Sequence, residues 1–155
     1  MDKLHEELLS IIKKEAKGNT TISKHGSTYD GNEDKSYQLT NPQLRIIAGV
    51  WLKHHNDLSL RKFTNLLNSL YRKSESSTEK YIAGFLLEYS PNLRKQLQPE
   101  LLNSWLDNLV GWGQVDSLCQ SRFGVDDMLH NWKNWKLLLE KLSESDNINK
   151  RRAEI

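Results

Sequence analysis

The 155-residue chain has one cysteine, three prolines and no apolar run near the ~20 residues that would span a bilayer. With Cys119 alone, an internal disulfide and a cysteine-rich zinc site are both excluded, and the usage fits a reducing, cytoplasmic setting. The five histidines, at positions 5, 25, 54, 55 and 130, lack metal-ligand spacing, so neither metal nor other cofactor is expected. The opening "MDKLHEELLSIIKKEAK" is charged and amphipathic, without the apolar core of a secretory signal. Strand signals are sparse as well: there is no sustained alternation and no Asn-Gly hairpin between β-branched runs. A formal net charge of +2 permits an anionic partner without demanding one.

What is present is helical spacing. Leu4, Leu8, Ile11 and Ile12 form the first apolar stripe, which Gly18 ends. Residues 18–36 read as a flexible polar loop, poor in large apolar side chains. Asn41-Pro42 opens the next helix, with Asn41 as cap, carrying Leu44, Ile47, Ala48 and Trp51. Ser59 caps another, and Ser76 with Glu79 matches a capping box before Tyr81, Ile82, Phe85 and Leu86. Further starts fall at Ser90-Pro91 and Pro99, then near Val115 after Gly111-Trp112-Gly113. One longer helix is expected from Val125 to Leu142, with Trp132 and Trp135 on one buried face, and Asp146 caps a last helix. Helix starts recurring about every 15 to 24 residues put helix pairs near the ~40-residue period of HEAT-like repeats. The fold class is therefore all-α, a single domain over residues 1–155, read as a stack of antiparallel helix pairs against a plain bundle.

Two features carry candidate chemistry. Trp112 stands four residues before Asp116 at a helix junction, and Arg151 and Arg152 open the last helix. Taken alone, the tryptophan reads as core, the aspartate as a cap, and the arginines as a solvated basic end. In combination they offer an aromatic face, an anion and a phosphate ligand. Cys119, on the stripe with Val115 and Leu118, reads as buried and inert.

"NLVGWGQVDSL" followed by "DNINKRRAEI" resembles the bacterial DNA alkylation repair enzymes of the AlkD type, built from HEAT-like repeats. Trp112, Val115 and Asp116 match one family element, and Arg152, with Ala153 after it, matches a second; Asn149 stands where that element usually has tryptophan. "SYQLTNPQLRIIAG" and "STEKYIAGFLLEYS" agree more loosely, so the likeness covers roughly residues 35–155. It implies a right-handed stack with a concave basic face holding double-stranded DNA, a monomer, and a chain that in the family continues through further helices. It further implies hydrolysis of the N-glycosidic bond of N3- or N7-methylated purines.

These residue types suit that chemistry. A methylated purine is already cationic and leaves without a strong acid, while the sugar develops positive charge that a carboxylate stabilises. Asp116 would do this and orient water, and Trp112 would stack on the sugar or cationic base for about 0.5 to 2 kcal/mol. Arg152 would hold a phosphate, with Lys150 and Arg151 adding attraction. Two or three of Arg45, Lys53, Arg61, Lys62, Arg72 and Lys73 would face phosphate too. The competing reading is a HEAT-type scaffold that binds protein or undamaged DNA without chemistry, and whether the base is flipped stays open.

Overall fold

A computed structural model describes residues 1–22, 35–119 and 123–154. Among the described residues the chain is mostly helical, as the spacing predicts. Helix α1, Lys3–Glu15, starts at Asp2, whose carboxylate accepts the Leu4 amide at 2.9 Å. It ends where Gly18 takes a left-handed φ of 72°, which costs glycine little. The expected polar loop is more ordered at its ends than its composition foretells. Strands β1, Thr20–Ile22, and β2, Lys35–Tyr37, pair antiparallel with Thr20 opposite Tyr37. The rest of that expectation, residues 23–34, lies outside the described residues. Tyr37 supplies the reason for the ribbon. It is buried, its amide donates to Thr78 Oγ1 at 2.8 Å, and its hydroxyl donates to Glu75.

Helix α2, Asn41–His54, begins one residue earlier than Asn41-Pro42 implies. Thr40 is the cap, because Gln43 returns its side chain to the Thr40 amide and closes a box. Ser59 caps α3, Leu60–Arg72, as expected. Helix α4, Ser77–Tyr89, is the most enclosed element, with Ile82, Ala83, Leu86 and Leu87 fully buried. A short α5, Pro91–Arg94, leads to α6, Glu100–Leu106, and then to α7, Gly111–Cys119.

The long helix expected from Val125 breaks at Asn131 into α8, Val125–His130, and α9, Trp132–Ser143. Asn131 leaves helical geometry (φ −141°), so Trp135 is buried while Trp132 stays half exposed. The last helix, α10, spans Ile148–Glu154. Its starting amide at Asn149 goes to Asn147 Oδ1 at 2.9 Å, so Asn147 rather than Asp146 does the capping.

The packing forms two rows. In one, α2 lies against α4, α4 against α7, and α7 against α10. In the other, α1, α3, α6 and α9 follow one another, and α3 on α4 and α9 on α10 join the rows. This is a stacked arrangement of helix pairs. One apolar core runs through it from Leu8 and Ile12 to Leu138 and Leu142. Trp105 is fully buried at its middle, stacked on Tyr71 at 5.0 Å with its indole N–H donated to Asn68 Oδ1 at 2.8 Å. The junction residues Trp112 and Asp116 fall in the first row, between α4 and α10.

Candidate active site

Gly111 starts α7 with a left-handed φ of 72°, a conformation that explains glycine there. The helix begins about four residues before the expected Val115, so Asp116 sits beyond the first turn and does not cap it. Capping falls to the buried Gln114, whose Oε1 accepts the Val110 amide at 2.9 Å. The same oxygen accepts Lys80 Nζ at 3.2 Å, tying α7 to α4. The two helices approach closely. A Cβ built on Gly84 would lie 2.5 Å from the Ser117 carbonyl oxygen.

Released from capping, Asp116 turns to α10. Arg152 Nε and Nη2 each donate to one of its carboxylate oxygens at 2.8 Å, a bidentate pair. The Arg152 guanidinium also lies 5.5 Å from the centre of the Trp112 ring. Asp116, Arg152 and Trp112 are 25%, 45% and 38% exposed, so the cluster opens to solvent. The hydrogen bonds to Asp116 raise the Arg152 pKa further above its ordinary value.

The other basic residues of α10 behave differently. Arg151 is exposed and its Nη1 donates to the Ser145 carbonyl at 2.6 Å. Lys150 turns inward, 13% exposed, with Nζ 2.6 Å from Asp107 Oδ1. Its neighbour Asn149 donates from Nδ2 to the Leu109 carbonyl at 3.0 Å. Elsewhere in the first row, Arg45 pairs with Glu88 at 2.8 Å and lies over the Phe85 ring at 4.6 Å.

Beside the pair is a cavity of about 440 Å³, lined by Asp116, Arg152, Cys119, Met128, Trp135 and Leu138 among others. Burial, and then the charge of Asp116, push the Cys119 thiol up to about 12, so it is protonated at neutral pH. No group of three metal-ligating side chains occurs among the described residues. No described helix is long and apolar enough to cross a membrane.

The structure therefore gathers Trp112, Asp116 and Arg152 at one point and leaves Arg151 beside it. Sequence reasoning missed Asp107, Gln114, Lys80 and Gly84. Apart from the Val110 amide held by Gln114, their partners lie far away in sequence, and no spacing along the chain marks them.

An all-α stack that presents a carboxylate, a tryptophan and an arginine at one helix junction matches the pattern of motifs read from the sequence. The sequence model of the DNA alkylation repair enzyme family matches residues 7–155, and the chain belongs to that family. Membership assigns it a role in DNA alkylation repair, within a family of enzymes. Neither curated proteins nor solved structures give a significant match.

Proposed function

We propose that the protein is a monofunctional DNA glycosylase that hydrolyses the N-glycosidic bond of N3- or N7-alkylated purines in duplex DNA. The observation that carries this reading is the convergence of Asp116, Arg152 and Trp112 on one exposed point. Alkylation leaves the purine cationic. When the bond to the sugar breaks, its electron pair passes to the base and neutralises the ring. Positive charge then appears on the sugar as an oxocarbenium-like species.

Asp116 stabilises that charge, and a water molecule it orients adds to the sugar carbon while the displaced proton passes to the carboxylate or to solvent. The products are the neutral alkylated base and an abasic site. Water is the nucleophile, so the strand is not cut by the same reaction. The Trp112 face packs against the lesion's sugar or base. Arg152 has five N–H donors, as any guanidinium does; Asp116 takes two of them, and the others can reach a phosphate oxygen without breaking the pair. Arg151 adds phosphate attraction from the same turn.

The test is release of methylated purine from duplex DNA carrying N-methylpurines, for the wild-type chain and for Asp116→Asn. Release by the wild type that falls sharply in the variant supports the glycosylase. Absence of release from either sinks it, and salt-dependent binding to the same duplex would then favour a binding protein without chemistry.

A further inference from the structure

Lys150 lies two residues before Arg152, where a phosphate ligand is expected, yet its charge is already taken. Its stem is covered and its ammonium meets Asp107 at 2.6 Å. The next contact is independent of charge: Asn149 Nδ2 holds the Leu109 carbonyl at 3.0 Å. Two successive residues of the α10 first turn therefore grip the segment between α6 and α7. Leu109 is two residues from Gly111, which starts the helix that carries Trp112 and Asp116.

Helix α10 needs such a grip. It is seven residues long and none of its described residues is fully buried; the partly buried Ala153 packs against the core, so apolar packing alone fixes its rotation and height only weakly. An error of about 1 Å in either would spoil a two-point hydrogen bond from Arg152 to Asp116. For Lys150 to reach a phosphate, its partly buried amine would have to leave a close partner and draw its stem into water.

We propose that Asp107, Lys150 and Asn149 form a latch: they are positioning residues that dock α10 so that Arg152 meets Asp116 and Trp112. This rests on the glycosylase reading for its consequence in catalysis, but not for its geometry. Lys150 thus acts on the protein, and Arg152 and Arg151 act on the DNA.

The test compares Lys150→Met, Asp107→Asn, Asn149→Ala, the Lys150→Met/Asp107→Asn double variant and the conservative Lys150→Arg. Three quantities are read: single-turnover base release, the salt dependence of binding to duplex DNA, and the Trp112 indole N–H resonance. A latch lowers release about tenfold or more in Lys150→Met and in Asp107→Asn, with the double variant no worse than the poorer single. Asn149→Ala falls in the same direction, Lys150→Arg recovers most of the rate, and the salt slope does not change.

A phosphate ligand behaves otherwise. Lys150→Met would then reduce the salt slope by about one, and Asp107→Asn would tighten binding by removing a negative charge, which overturns the latch. If the wild type releases no base, the glycosylase reading fails while the resonance still decides. A Trp112 shift shared by both single variants and the double upholds the latch, and an unmoved Trp112 signal overturns it.

Discussion

Arg152 and Asp116 stand 36 residues apart in sequence and meet through two hydrogen bonds of 2.8 Å, with the guanidinium resting over Trp112. The pair joins α10 to α7 on an exposed surface, and exposed ion pairs contribute little to stability. Its geometry is also one that lysine cannot copy, since an ammonium offers no planar fork and stacks poorly. Asp116→Asn is therefore expected to lower single-turnover release of methylated purine by about 10² to 10³ while leaving the thermal midpoint nearly unchanged. Arg152→Lys keeps the charge and is expected to fall well below wild type in release. Release by Arg152→Lys at the wild-type rate would show that only charge matters there.

Gly84 sets the distance between α4 and α7. Helix propensity alone favours alanine over glycine by about 1 kcal/mol in a helix interior. Against that, the added Cβ would come within 2.5 Å of the Ser117 carbonyl oxygen and 2.7 Å of its hydroxyl. The hydroxyl can rotate away, but the carbonyl belongs to the α7 backbone and cannot. Overpacking of this kind costs about 1 to 3 kcal/mol. Gly84→Ala should thus be destabilised in urea unfolding despite its better propensity, and base release should fall because α7 carries Trp112 and Asp116. A variant more stable than wild type would mean that α7 slides without penalty.

These two residues show how much the sequence can disclose. The longer helices are legible because each carries an apolar stripe of its own, and the candidate site is legible because Trp112 and Asp116 sit on one short segment. The arginine pair at residues 151 and 152 stands out as a basic helix opening, and only the likeness to a family pattern selects Arg152 from it. Several of the misreadings come from partners that lie far away in sequence. Asp116 reads as a cap until Arg152, from another helix, claims it. Ser76 and Glu79 read as a capping box, but Glu79 Oε2 accepts from the Ser76 hydroxyl and the Glu75 amide, with no side-chain cap at Ser76. The β-ribbon was hidden because Tyr37 and Thr78, which hold it, lie on separate elements. Local readings failed only by small margins, with Thr40 capping in place of Asn41 and Asn147 in place of Asp146, and the break at Asn131 has no glycine or proline to announce it.

The recruitment of Glu79 has an energetic consequence. Its Oε1 meets His5 Nε2 at 2.6 Å, and His5 Nδ1 meets Ser69 Oγ at 2.8 Å, all shielded from solvent between α1, α3 and α4. Removing one partner of a buried hydrogen bond leaves the other unsatisfied, at a cost of about 1 to 3 kcal/mol. Glu79→Ala should lose about that much in denaturant unfolding. His5→Ala combined with Glu79→Ala should cost less than the two singles added together. Additive losses would mean that the two side chains do not share one network.

Acid should weaken the fold in part through Glu75. The hydrogen bond from Tyr37, and then the contacts with Lys13 and Lys35, bring its carboxyl down to about 2 from 4.5, against an opposing effect of burial. A carboxyl whose pKa is depressed in the folded state stabilises fully above its unfolded value and loses that contribution as pH falls through the folded one. The affected window thus runs from about pH 4.5 down to about pH 2. Tyr37 is raised instead, from 10.0 to about 12, by burial first and then by the hydrogen bond to Glu75. Its contribution is complete below pH 10 and disappears as pH rises toward 12. Thermal midpoints measured across pH should therefore decline at both ends. Glu75→Gln should flatten the acid limb, and Tyr37→Phe should weaken both limbs, because it removes the phenol and the largest influence holding Glu75 down. An acid limb unchanged in Glu75→Gln would assign the acid sensitivity to other carboxylates.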